Sequence, residues 1–168
     1  MAEIVQLRAE HAAEYRELML HAYREAPNAF TATPEERADL PLSWWAERIA
    51  GSGTAFGAFE DGLLVGAVAL EGSPRPKTRH KAHLVGMYVL AAWRGQGIGR
   101  RLVQAVLDHA RQRPDLKVLT LTVTEDNTDA IALYQAAGFH AFGLEPMALR
   151  TEDGYRGKLH MWQALAAP

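Results

Sequence analysis

Residues 93 to 102 read WRGQGIGRRL, with glycines at 95, 97 and 99, arginines at 94, 100 and 101, and an apolar helical pattern that starts at Ile98. Glycine is costly at a helix start unless the main chain must bend there or approach something closely. The first turn of a helix presents N–H groups without intrahelical partners, and the aligned peptide dipoles add partial positive charge. An anion placed there gains from both. Glycines at these three positions let the backbone come close to it, and Arg94 with Arg100 or Arg101 adds charge. The chemistry suggested is the binding of a phosphate or pyrophosphate. A turn chosen only for its geometry is the plainer alternative. A Walker-type loop needs a lysine and a Ser or Thr after its last glycine, where this chain has Arg100-Arg101. The dinucleotide fingerprint needs a third glycine where Leu102 stands. Because Glu125-Asp126 could imitate a ribose-binding carboxylate, a dinucleotide-binding domain stays open.

Proton transfer near neutrality calls for a histidine or a perturbed carboxylate. His83, in the apolar run HKAHLVGMYVL, is the leading candidate base; Glu71 and His80 are others, and His160 and Tyr155 follow. Strict alternation would put His83 on one face with Val85, Met87 and Val89, and Tyr88 on the opposite face. A bulge would break that count. A lone strand histidine is also commonly just packed or solvated. The seven histidines are scattered and form no H-E-x-x-H pattern. There is no cysteine, which excludes a disulfide framework, a thiolate zinc site and a cysteine nucleophile. No metal is expected.

These residues need a scaffold. The chain has 168 residues, 48% hydrophobic and 23% charged, with a formal net charge of -2. That suits one globular domain, here residues 1–168, and lacks the basic excess expected of a nucleic-acid binder. The N-terminal MAEIVQLRAEH carries charges where a signal peptide needs an apolar core, and no apolar run approaches a bilayer span. A cytoplasmic protein with no membrane partner is the expectation.

EIVQLR reads as a strand, and residues 11–24 have helical spacing. EAPNAFTATPEE is a loop, in which Thr33-Pro34-Glu35-Glu36 caps a second helix; that helix is interrupted at Pro41 and runs towards Ile49. TAFGAFE and LLVGAVALE form a hairpin about Asp61-Gly62. HKAHLVGMYVL is a central strand. It leads through the glycine loop into a helix over 97–111, whose stripe is Ile98, Leu102, Val103, Val106, Leu107 and Ala110. KVLTLTV, a helix capped at Asp126 or Asn127 and ended by Gly138, and two final strands complete the chain. The order is β-α-α-β-β-β-α-β-α-β-β, a mixed α/β domain.

Arg94, Gly97 and Gly99, together with Asn127, Leu133-Tyr134 and Gly138-Phe139 further on, resemble the two signatures of the GCN5-related N-acetyltransferase (GNAT) superfamily. The resemblance in element order covers nearly the whole chain. It implies a central mixed, mostly antiparallel sheet of about seven strands with about four helices. It implies acetyl-CoA as co-substrate and acetyl transfer to a primary amine by direct attack in a ternary complex. By the same resemblance, backbone groups of Met87, Tyr88 and Val89 bind the pantetheine arm and thioester carbonyl. Amides of Gly95, Gln96, Gly97, Ile98, Gly99 and Arg100 hold the pyrophosphate, with Arg94 beside them. Asn127 hydrogen-bonds the cofactor and Tyr134 sits at its sulfur. The chemistry is consistent: a thiol has a pKa of about 8.5 and a tyrosine about 10, so a nearby phenol can donate to the leaving sulfur. Core packing for Tyr134 and an ordinary helix cap for Asn127 are the structural alternatives. Dimers are frequent in the family, which allows a homodimer.

The acceptor is less defined. Relatives that acetylate ribosomal-protein N-termini resemble LEVRASN before the asparagine, with the glutamate as base; here the stretch is LTVTEDN, with Thr122 in that place. A small-molecule amine is therefore favoured over that peptide. Phe30, Glu71 and Tyr88 are expected around the acceptor, with Trp44 nearby; plain core packing is an equal alternative for the aromatic rings. Glu25, Glu35, Glu36 and Asp39 could make an acidic cleft for a polycation, or simply solvate a helix start. A non-catalytic acyl-CoA-binding module on the same fold is the competing function.

Overall fold

The structure, a computed structural model, describes residues 1–165. Seven strands form one sheet: β1 (Glu3–Gln6), β2 (Thr54–Glu60), β3 (Leu63–Gly72), β4 (Lys81–Val89), β5 (Val118–Thr124), β6 (His140–Thr151) and β7 (Gly154–Ala164), in the order β1-β2-β3-β4-β5-β7-β6. All neighbours are antiparallel except β4 and β5. A parallel pair cannot be closed by a hairpin. The chain instead crosses over through α4 (Ile98–Arg111). The other helices are α1 (Ala12–Glu25), α2 (Pro34–Ala38), α3 (Leu42–Ala50) and α5 (Thr128–Ala136).

The helices divide between the two faces. Tyr15, Leu18, Met19 and Tyr23 of α1 pack with Trp45 and Ile49 of α3 on one side. On the other, Leu102, Val103, Val106 and Leu107 of α4 pack with Leu119, Leu121 and Met161 of β5 and β7. The expected stripe on α4 is buried throughout, no member being more than 3% exposed. Each large aliphatic side chain buried in this way contributes roughly 1.5–3 kcal/mol. The residues between Thr33 and Ile49 form two helices rather than one interrupted helix. Pro41 stands at the N-cap of α3, and α2 is closed by a reciprocal cap in which Glu36 N–H donates to Thr33 Oγ1 at 3.2 Å and Thr33 N–H to Glu36 Oε2 at 2.6 Å. Among the described residues no helix is long and apolar enough to cross a membrane.

Two features of the sheet prepare a site. The β4–β5 ladder ends at His83↔Thr120, after which β4 continues only along β3 and β5 only along β7. Beyond that pair the strands part. In addition, the β3–β4 register jumps from Ala69↔Val85 to Ala67↔Tyr88, so β4 carries an extra residue. Gly86 sits in this bulge at φ +62, a left-handed conformation that favours glycine.

Candidate active site

The bulge corrects the alternation expected along β4. Met87 and Val89 pack on the face covered by α4, whereas Val85 and Tyr88 pack on the face covered by α1 and α3. His83, lining a pocket with Val85, shares the α1 side with Tyr88 and not the side of Met87 and Val89. The extra residue reverses the phase of every side chain after it. Met87 to Val89 consequently present their backbone in the gap between the parted strands, with side chains on both sides.

A cleft of about 510 Å³ occupies the α4 end of this gap. Its walls include Met87, Tyr88 and Val89 of β4, the loop residues Arg94, Gly95 and Gly97, the first turn of α4, and Asn127, Ala130 and Leu133 from α5 and its cap. Gly97 is the N-cap of α4 at φ +79, with no side-chain cap bond and no acidic residue in the first turn. The initial N–H groups thus lack the usual internal partner and face an anion-accepting position. The loop glycine at 95 has the same φ of +79. Arg94 Nε donates to the Val89 carbonyl at 2.9 Å, and its guanidinium lies 5.3 Å from the Tyr88 ring centre. Arg94 therefore fastens the loop to the end of β4. Of the two following arginines, Arg100 lines the cleft. Arg101 is spent elsewhere, donating to the Ala2 carbonyl at 2.7 Å.

Asn127 has both expected positions at once. Its Oδ1 accepts from Ala130 N–H at 3.3 Å as the cap of α5, and the residue lines the cleft. Gln96 is exposed and does not line it. Tyr134 does not line it either. Its ring is 5% exposed and packs edge-on against Phe139 at 6.0 Å, one helical turn beyond Ala130. Burial raises its phenol well above the ordinary tyrosine range, because the charged form is disfavoured away from water.

A second pocket, of about 190 Å³, lies on the α1 side of the same gap. Phe30 and Ala29 belong to the walls of both cavities, so the 26–33 loop is the partition between them. Two side-chain bonds carry this loop across the parted strands: Thr124 Oγ1 of β5 donates to the Asn28 carbonyl at 2.6 Å, and Lys158 Nζ of β7 donates to Thr31 Oγ1. Sequence reasoning missed Thr124 and Lys158, since neither belongs to a motif.

His83 and Glu71 both reach this second pocket and stand directly opposite each other on β4 and β3. His83 Nδ1 lies 2.8 Å from Thr120 Oγ1. Its ring is held below the ordinary histidine range, first by desolvation, with His160 and Lys158 adding to the effect and Glu71 opposing it. Glu71 is engaged by Arg48, whose Nη1 donates to Oε1 at 2.6 Å. Glu71 Oε1 is thereby occupied by the Arg48 guanidinium. His160 is paired with Glu145 at 3.1 Å and meets Phe142 edge-on, outside the pocket lining. Trp44 lies behind, lining an adjoining groove. Glu25, Glu35, Glu36 and Asp39 line neither cavity; Glu36 serves as a helix cap. Among the described residues no cluster of histidine and carboxylate side chains is placed to hold a metal.

The arrangement agrees with known proteins. The profile of the Acetyltransferase (GNAT) family matches residues 13–139. The chain is 40% identical over 89 residues to N-alpha-acetyltransferase RimI of Mycobacterium tuberculosis (strain ATCC 25618 / H37Rv), covering 52% of each chain; it thus spans about half the length of that relative. Among solved structures it resembles a GNAT-family acetyltransferase from Streptococcus pneumoniae with a TM-score of 0.88 at 19% identity, over 99% of this chain and 100% of the other. It also resembles yncA of Salmonella typhimurium, a putative acetyltransferase solved with its cofactor acetyl-CoA, with a TM-score of 0.82 at 21% identity over 100% and 98% of the two chains. With most of its length matched by the family profile, the chain belongs to the GNAT family of acetyltransferases.

Proposed function

We propose that this chain is an acetyl-CoA-dependent N-acetyltransferase that moves an acetyl group directly to a primary amine. The observation that carries this reading is the uncapped start of α4 at the wall of the 510 Å³ cleft. The amides of Gly95 to Arg100 would take a pyrophosphate, with Arg100 adding charge. The backbone of Met87 to Val89, which β5 leaves unpaired, would take the pantetheine arm, and an N–H there would stabilise the oxyanion that forms at the thioester carbon. Asn127 would donate or accept at the arm through whatever capacity its cap bond leaves free.

The amine would arrive from the second pocket. It must be neutral to attack. His83, with its low proton affinity, would accept the ammonium proton directly or through a water. For Nε2 to do this, Nδ1 must carry hydrogen and donate it to Thr120 Oγ1. Attack forms the C–N bond, collapse breaks the C–S bond, and the sulfur leaves as a thiolate. Tyr134 would act on that thiolate. Its burial makes full proton donation costly, so a hydrogen bond to the sulfur is the role its environment favours.

A panel of amines mixed with acetyl-CoA, read by thiol release and by mass of the product, tests the proposal. Tight CoA binding without acetylation of any amine would favour a non-catalytic acyl-CoA module. Stronger thermal stabilisation by NAD than by CoA would favour the dinucleotide alternative. Similarity to RimI supports a second acceptor, the α-amine of a polypeptide. Thr122, at the position where the ribosomal-protein enzymes resemble LEVRASN with a basic glutamate, argues against that particular class and for a smaller amine.

A further inference from the structure

The second pocket carries more positive than negative side chains. Its charged lining is Arg37, Arg48, Lys158 and Glu71, whereas the chain as a whole has a net charge of -2. Glu71 is consumed by Arg48, whose side chain is only 11% exposed. Arg37 and Lys158 keep no carboxylate partner among the described residues. Arg37 donates to the Tyr23 hydroxyl, and its guanidinium lies 5.4 Å from the Tyr23 ring centre and 5.0 Å from that of Trp44. Among the described residues Lys158 donates only to the Thr31 hydroxyl.

We propose that this pocket binds an acceptor that carries a carboxylate together with its amine, an α-amino acid in its free form. The proposal rests on the acetyltransferase reading and names the substrate class of the same site. A guanidinium steadied on two aromatic rings offers a fixed fork of donors, the geometry that suits a carboxylate. Lys158, from β7, adds a point charge to the same lining. The volume of about 190 Å³, roughly six waters at about 30 Å³ each, suits a molecule of amino-acid size. With the carboxylate held at Arg37 and Lys158, the amine is left to reach the partition at Phe30 and the backbone of β4. The same cations disfavour an ammonium nearby, so the bound amine loses its proton more readily. They also repel polyamines and aminoglycosides, whose several positive charges would meet a single carboxylate, Glu71, already paired with Arg48. Transfer balances as an ordinary aminolysis: the α-nitrogen gains the acetyl group, CoA leaves as thiol, and the carboxylate is unchanged.

The test uses the protein saturated with CoA and calorimetry with free α-amino acids, each beside its own carboxamide, and with spermidine. The expected result is at least one amino acid binding roughly tenfold or more tightly than its carboxamide, the size of a charge-assisted hydrogen bond. Arg37→Met and Lys158→Met should each shrink that ratio to about threefold or less, and Lys158→Arg should preserve it. Retained CoA affinity shows that a variant has folded. Carboxamides or spermidine binding as tightly as every free amino acid, or a ratio unmoved in both methionine variants, overturns the proposal. Thiol release from acetyl-CoA is measured separately. Acetylation of amides or polyamines alone leaves the transferase reading standing while sinking this one. Amino-acid selectivity without any transfer supports the pocket and sinks the transferase reading.

Discussion

The Tyr15 hydroxyl of α1 lies 3.3 Å from the point where a side chain on Gly86 would begin. Met19 Cε at 3.5 Å and Arg48 Nη2 at 3.8 Å complete the contact. The bulge in β4 is therefore held down by α1 and has no room for growth on that side. This contact joins the helical layer to the strand whose backbone must meet the thioester. Gly86→Ala places a Cβ at φ +62 and presses it on the buried phenol. Its expected cost is about 1–2 kcal/mol of stability, a fall in Tm of several degrees. If the bulge positions the oxyanion donor, kcat should fall more than this stability loss explains at a temperature where the variant is fully folded. Circular dichroism melts and steady-state rates on the same preparation check it. A variant with unchanged rate would remove the bulge from catalysis.

Thr124 is the only fully buried polar residue among those described, at 3% exposed. Its hydroxyl spends its hydrogen on the Asn28 carbonyl. Thr124→Val keeps the shape and deletes that bond, at a cost of about 1 kcal/mol. The loop it holds forms the wall between the two cavities. The expected effect is a several-fold higher KM for the amine, a smaller change in KM for acetyl-CoA, and faster hydrogen exchange over residues 26–33. Equal changes in both KM values would mean that the bond merely stabilises the fold.

The fold was largely legible because its signals are local. The Asp61-Gly62 turn, the apolar stripe of α4 and the Thr33–Glu36 capping box each declare an element within a few residues, and the structure has them where those signals stand. The glycine loop was legible for a similar reason: only a main chain required to bend leaves Gly95 and Gly97 together. What the sequence concealed depends on pairing between distant strands. The β4 bulge is visible only as a register jump against β3, so simple alternation put His83 with Met87. Nor does anything around Lys158 or Thr124 announce that they meet residues 31 and 28. No motif includes Arg37 or Arg48, and only the fold turns both onto Trp44.

Tyr134 presents a conflict between residue type and placement. The phenol stands at the family position expected near the sulfur, yet the ring is buried and its proton affinity is raised by desolvation. A buried phenol can still steady a thiolate by donating a hydrogen bond without surrendering the proton. Tyr134→Phe should then lower kcat roughly tenfold to a hundredfold, about 1.4–2.8 kcal/mol in the barrier, with little change in acetyl-CoA affinity. The loss should shrink with an acyl donor whose thiol is more acidic, because such a leaving group needs less help. Equal losses for all donors, or none, would assign Tyr134 to packing alone.

His83 makes a prediction whose sign is set by burial. Desolvation holds its folded pKa below the ordinary value, which is about 6.5 in an unfolded chain. Between the two values the unfolded state binds more protons, so stability rises with pH across that window. The contribution is complete above about 6.5 and is lost as pH falls through the folded pKa. Melting the protein and His83→Gln side by side from pH 5 to 8 isolates this part from His109, whose pKa is lowered in the same direction. The difference between the two curves should rise with pH below about 6.5 and then flatten. Activity should follow the same direction for a base, which works only when neutral: the acid limb of kcat/KM should fall below about 6.5 and vanish in His83→Gln, along with most of the rate. If the stability difference follows this course while the acid limb survives the substitution, His83 is a buried neutral histidine and the proton leaves by water.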